Sequence, residues 1–103
     1  MEKTPIKQLE AIFKGAANQR RLMILRLLSH TKEVSVGETA KKIHLSFTAT
    51  SKHLNILYKL DLLERRQKDL VVYYRISVNL TPLAKYLITA VSNSCLPAGT
   101  ARE

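Results

Sequence analysis

The stretch Ser35-Val36-Gly37-Glu38-Thr39-Ala40-Lys41-Lys42-Ile43-His44-Leu45-Ser46-Phe47-Thr48-Ala49-Thr50-Ser51-Lys52-His53-Leu54-Asn55-Ile56-Leu57 decides the fold. Ser35 is an N-cap candidate with Glu38 three residues on, the capping-box spacing, and Ala40 and Ile43 share one face, which predicts a short helix over about Val36 to Ile43. His44-Leu45 leaves room only for a tight connection before Ser46, which can cap a second helix carrying Thr50, Leu54 and Leu57 to about Leu60. Two helices joined by so short a turn are a helix-turn-helix candidate. At about 100° per residue, Thr50, His53, Leu54 and Leu57 fall in one arc of the second helix, and Thr48, Ser51, Lys52, Asn55 and Lys59 in the opposite one. That polar arc holds hydroxyls, an amide and two ammonium groups with no acid, a set suited to base edges and phosphates in a DNA major groove. An ordinary solvated face, the alternative, mixes both signs.

Beyond Asp61 the period changes. Leu63-Glu64-Arg65-Arg66 and Leu70-Val71-Val72-Tyr73-Tyr74-Arg75-Ile76, split by polar Gln67-Lys68-Asp69, predict a two-stranded hairpin. Arg65, Arg66 and Lys68 surround its tip. From Lys41 to Arg75 there are eight Lys/Arg (41, 42, 52, 59, 65, 66, 68, 75) against three acids (61, 64, 69), so positive charge, including Lys41 and Lys42, gathers around the same elements. A helix-turn-helix followed by a basic hairpin is the winged-helix arrangement. The competing reading of the hairpin is a plain charged turn.

On the N-terminal side, Thr4-Pro5 pairs a cap residue with a favoured first helical position, and Ile6, Leu9, Phe13 and Ala16 recur at helical spacing, predicting a helix over about Pro5 to Ala17. Asn18 can cap a strongly amphipathic second helix with Arg21, Ile24, Leu25 and Leu28, ending at the polar run Ser29 to Glu33. Thr81-Pro82 repeats the cap-then-proline signal before a terminal helix to about Asn93, with Leu83, Leu87 and Val91 in a stripe. The expected organisation is one winged-helix domain over residues 1–95, mainly helical α+β with four helices, a β-hairpin wing and a C-terminal helix, then a loose tail over 96–103. The Ile6, Leu9, Phe13 and Leu83, Leu87, Val91 stripes offer more apolar surface than one small core absorbs, which predicts a homodimer joined by the first and last helices.

Four tempting residues have plainer readings. His53 lies beside Leu54 and Leu57 on the wheel and is expected to satisfy a neighbouring polar group; Arg21 is expected to tether the second helix. Of Tyr73 and Tyr74, strand alternation sends one ring into the core.

The 103 residues allow one small core and little room for a deep substrate cavity. A formal charge of +9 favours a polyanionic partner, nucleic acid before membrane. No Ser/His/Asp or Cys/His constellation and no Gly-rich phosphate loop is present among only 3 Gly, so no catalysis is expected. His30, His44 and His53 lack metal-ligand spacing, and no metal or other cofactor is expected. A single cysteine, Cys95, excludes an intrachain disulfide. With no leader at the start, it points to the cytoplasm. The longest apolar run, Leu22 to Leu28, is interrupted by Arg26 and is far too short to span a bilayer.

From Leu9 to Ile76 the sequence resembles the ArsR/SmtB transcriptional repressors. The resemblance is carried by Phe13-Lys14-Gly15-Ala16-Ala17-Asn18-Gln19-Arg20-Arg21-Leu22-Met23-Ile24-Leu25, Ser35-Val36-Gly37-Glu38-Thr39-Ala40, Ser51-Lys52-His53-Leu54-Asn55-Ile56-Leu57 and Val72-Tyr73-Tyr74-Arg75-Ile76. It implies four helices, a wing and a last helix, in a homodimeric repressor on an imperfect palindrome of double-stranded DNA. It also implies Phe47, Thr48, Ser51 and Lys52 as the groove-facing start of the recognition helix, and Arg65, Arg66 and Lys68 as wing contacts. Phe47 stands where the family usually has Gln, and can touch a thymine methyl or pack locally. Asp61 stands for a usual Gly, and Thr39 for a usual Leu, which should thin the core. Where family sensors of arsenic and lead place Cys-x-Cys, this chain reads Val34-Ser35-Val36-Gly37, and Thr81 to Asn93 contains neither His nor carboxylate. The sequence names no inducer. Two alternatives remain at this stage: a winged-helix protein-interaction module, and a repressor that answers thiol redox through Cys95.

Overall fold

Helix α2 (Gln19–Ser29) sits at the centre of the molecule, which the computed structural model describes over residues 4–97. It packs against α1 (Ile6–Ala16), α3 (Val36–Ile43), α4 (Phe47–Lys59), α5 (Pro82–Ser92) and strand β3 (Val71–Ile76). Strands β1 (Val34–Ser35), β3 and β2 (Leu63–Lys68) form an antiparallel sheet in that order. The expected mainly helical α+β winged helix-turn-helix is the fold observed. The core joins Ile24, Leu25 and Leu28 of α2 to Leu54 and Leu57 of α4, with Leu62, Leu63 and Tyr74 from the sheet side.

Because α2 is enclosed from several directions, it has no open polar face, contrary to the strong amphipathicity expected. After Gln19 and Arg20 its residues are buried or half-buried. Arg21 survives there by bridging: Nη1 donates to the Gly15 carbonyl at 2.9 Å and Nε donates to His53 Nδ1 at 3.2 Å. This one side chain ties α1, α2 and α4 together, the tether expected for Arg21 and the polar partner expected for His53. Gly15 lies where α1 presses on the end of α4, and a Cβ there would land on Leu60 Cδ1.

Side-chain caps set the helix starts. Asn18 Oδ1 accepts from Arg21 N, Ser35 Oγ from Glu38 N, Ser46 Oγ from Ala49 N and Thr81 Oγ1 from Ala84 N. Thr4 makes no such cap. Pro5 has ψ 143°, so it stands outside the helix as the cap residue with its carbonyl accepting from Leu9 N, and Thr4 is one residue too early. At the other ends, α3 and α4 stop in the same way. Leu45 N donates to the Ala40 carbonyl and His44 N to that of Lys41; Leu62 N donates to Leu57 and Asp61 N to Tyr58. His44 and Asp61 take the left-handed conformation, at φ 57° and 61°, that this stop requires, and His and Asp tolerate it better than branched residues.

Three further expectations change. The sheet has three strands, because Val34 pairs with Tyr74 and Ser35 with Tyr73. Gln67 and Lys68 belong to β2, paired with Val72 and Val71, so the loop shrinks to Asp69-Leu70, with Asp69 at φ 57°. Thr39 does not thin the core: it is fully buried with Oγ1 donating to the Ser35 carbonyl at 2.8 Å. Residues 98–103 of the expected tail lie outside the described residues.

Candidate nucleic-acid interface

Helix α4 is held by its buried side. Thr50, Leu54 and Leu57 are enclosed, and on the opposite stripe Thr48, Lys52 and Lys59 are exposed, with Ser51 and Asn55 half-buried on the flank nearest the sheet. Thr48 and Lys59 are about 16 Å apart along the axis at 1.5 Å per residue, so Lys59 marks the far end of the stripe. Phe47, the first helical residue, is 61% exposed. Its ring stands at a cleft of about 820 Å³ between α4 and the wing, lined also by Ser51, Tyr58, Arg65, Leu70 and Val71. Lys41 and Lys42 are exposed in the last turn of α3, where the helix dipole favours cations.

The two wing arginines part company because neighbouring strand residues face opposite ways. Arg65 turns toward α4: Nη1 donates to Asn55 Oδ1 at 3.3 Å and to the Tyr74 hydroxyl at 3.4 Å, and its guanidinium carbon lies 4.0 Å from the Tyr58 ring centroid. Arg66 turns to the other face, over the Tyr73 ring at 4.9 Å, and forks onto Glu33 with both bonds at 2.7 Å. Arg66, expected as a wing contact, thus has its charge balanced by a carboxylate within the same chain. The hydrogen bond from Arg66 holds Glu33 below the ordinary carboxylate value. Arg75 is paired similarly with Glu64, which also accepts from Ser77 Oγ and Val78 N, the latter doing most to hold its carboxyl low. Lys68 stays exposed beside the loop.

Glu33 and Leu70 are the residues that the sequence reading missed here. Glu33 looked like the end of a polar run, and nothing local announces a partner 33 residues away. Leu70 reads as strand but is 96% exposed at the hairpin tip. Tyr74 enters the core as one of the pair had to, and Tyr73 is half-buried beneath Arg66. Burial, with the Arg21 and Arg20 guanidinium groups beside it, holds His53 below its ordinary value of 6.5.

The surface assigned to self-association is only partly open. Ile6 and Phe13 (58%) are exposed and Leu9 is half-buried. On α5, Leu83 is half-buried, Leu87 packs against the core, and Val91 is only 7% exposed. Val91 is thus corrected: it serves the protomer's own core, because the α5 stripe that contains it faces α2. Tyr86, unpredicted, is 76% exposed on the free side of α5. Cys95 is exposed just past that helix. Among the described residues no three His, Cys, Asp or Glu gather to hold a metal ion, and no helix is long and apolar enough to cross a membrane.

Comparison with known proteins points one way. Residues 18–65 match the family described as bacterial regulatory protein, arsR family. The transcriptional activator HlyU of Vibrio cholerae is 39% identical over 77 residues, 75% of this chain and 69% of that protein. The cadmium resistance transcriptional regulatory protein CadC of Listeria innocua is 37% identical over 62 residues, 60% of this chain and 52% of that protein. The solved HlyU structure from V. cholerae superposes with a TM-score of 0.72 at 34% identity, covering 88% of this chain and 94% of its own. The homodimeric winged helix-turn-helix DNA-binding domain of Mb0332 from Mycobacterium bovis does so with 0.71 at 29% identity, over 88% and 86% of the two chains.

Proposed function

The chain belongs to the bacterial ArsR family of regulatory proteins, and from that premise we propose that this winged-helix transcription regulator is a homodimeric repressor. It acts in the cytoplasm on an imperfect palindrome in double-stranded DNA. The observation that carries this reading is the outward stripe of α4. Thr48, Ser51, Lys52 and Asn55 form an acid-free row of donors and acceptors opposite the buried Thr50, Leu54 and Leu57. A side-chain row of that chemistry distinguishes base pairs in the major groove. Lys41, Lys42, Lys59 and Lys68 supply phosphate contacts, which position without specifying. Phe47 takes the apolar part, against a thymine methyl. Repression needs only occupancy: a dimer covering a promoter excludes other proteins from it. The proposed function requires no catalysis.

Self-association is supported by the apolar side chains left open on α1, Ile6 and Phe13, with Tyr86 on α5. The homodimeric Mb0332 domain is a relative of the same fold. Selection of bound sites from a random DNA pool tests both halves of the proposal. An inverted repeat is expected. Titrations then compare the selected site with its scrambled version: Lys52→Ala loses about 1–3 kcal/mol on the selected site alone, and Lys68→Ala weakens both alike. A pool that yields no enriched sequence refutes the proposal.

A further inference from the structure

Three groups from α4 and β3 converge on Arg65. The Asn55 carbonyl oxygen and the Tyr74 hydroxyl both accept from its Nη1, and the Tyr58 ring lies under its guanidinium. The two hydrogen bonds, at 3.3 and 3.4 Å, are at the long end of the useful range, so the ring face and the buried Tyr74 do most to fix the plane of the fork.

The consequence falls on Asn55. A guanidinium carries donors only, so the amide atom turned toward Arg65 has to be the oxygen. The Asn55 amide is thereby given one of its two orientations, with Nδ2 directed away from the wing. Among the described residues nothing accepts a hydrogen bond from Nδ2. Asn55 also stands three, four and seven residues after Lys52, Ser51 and Thr48, on the same helical face.

We propose that Arg65 is a positioning residue for base recognition: it orients the Asn55 amide so that Nδ2 meets DNA as a hydrogen-bond donor. This rests on the reading of α4 as the groove-facing helix. In the major groove guanine offers N7 and O6, adenine N7 and thymine O4 as acceptors, whereas cytosine offers only its N4 donor. The base that Asn55 meets is therefore one with an acceptor, and cytosine is rejected on that strand. The role of Arg65 is geometric, with its charge secondary.

The test is site selection from a random duplex pool with the full chain, its Asn55→Ala, Arg65→Ala and Arg65→Lys variants and the Asn55→Ala/Arg65→Ala double variant, each checked by circular dichroism. In the wild type one position per half-site is expected to disfavour cytosine by about fivefold, the worth of one hydrogen bond. Arg65→Ala and Asn55→Ala both erase that bias at the same position, and the double variant loses nothing more there. Arg65→Lys keeps the charge and the salt dependence but not the planar fork, and it erases the same bias; it supplies the contrast should Arg65→Ala fail to fold. The proposal is overturned if Arg65→Ala lowers binding to all sequences alike, if it disturbs a different position from Asn55→Ala, or if Arg65→Lys retains the wild-type preference. A wild type that selects no site overturns the reading of α4 itself, so the two failures are distinguishable.

Discussion

Glu33 is the acid whose removal should strengthen DNA binding most. It takes the Nε–Nη2 edge of Arg66 with two 2.7 Å bonds on an exposed sheet face and balances its charge, so a phosphate gains little from Arg66 while the carboxylate stays in place. Glu33→Gln keeps the shape and removes the charge, and leaves Arg66 over the Tyr73 ring with its donors available. Each additional phosphate neutralised steepens the dependence of log K on log salt by about 0.9, and so by about 1.8 for a dimer that gains one contact per protomer. At 0.1 M salt that is a gain of up to about eightfold per protomer, and between 50 and 200 mM the dimer's advantage over the wild type shrinks about twelvefold. Fluorescence anisotropy on a random-sequence duplex across that salt range measures both quantities. Glu10→Gln is the control, because Glu10 pairs with Lys14 on α1, away from the wing, and its loss changes net charge equally. The reasoning is refuted if the two variants share one salt slope, or if Glu33→Gln binds more weakly, which would make the ion pair a brace that the wing needs.

Other consequences are more local. His53 has a folded value below its ordinary 6.5, so stability is level above about pH 6.5 and falls as pH drops toward the folded value, because only the unfolded chain takes up the proton. His53→Gln, which still offers Arg21 an acceptor, should flatten that slope in denaturant titrations between pH 5 and 7, roughly the window in which histidines titrate. Ser46→Ala removes the cap from α4 at a cost of about 1 kcal/mol, seen as a Tm lower by about 4–8 °C, and Ser46→Asp restores it. Phe13→Glu places a charge in the open α1 patch; burying a Phe contributes about 1.5–3 kcal/mol, twice in a symmetric interface, so the dimer constant measured by sedimentation should weaken at least a hundredfold. An unchanged mass on dilution would remove α1 from the interface.

The parts of this fold legible in the sequence are those encoded by neighbours. Ser35, Ser46, Asn18 and Thr81 each cap a backbone N–H three residues on, which is why α3 begins and ends at the expected residues and the other helices come within a residue or two. Strand β1 is not legible in this way: two residues have no period, and only the distant partners Tyr73 and Tyr74 make them a strand. Val91 failed differently. Its stripe was recognised correctly as apolar, but spacing along a helix cannot say whether that face meets the same chain or another. At the interface, the α4 stripe was legible from a wheel, whereas the different loyalties of Arg65 and Arg66 depend on Asn55 and Glu33 being brought up by other elements.

The strand order β1-β3-β2 gives the wing a change of stiffness along its length. Only Tyr73 and Tyr74 of β3 are flanked by strands on both sides; outward from them, Val71-Val72 and Gln67-Lys68 continue as a two-stranded ribbon to the Asp69-Leu70 loop. Mechanically this is a cantilever clamped at its root. Ribbons of two strands twist more readily than wider sheets, so the outer segment can turn to follow the contour of a duplex. The clamp holds the root of the wing, where Arg65 pairs with Tyr74, against α4, so bending is expected to be concentrated at the tip and not at the α4 stripe.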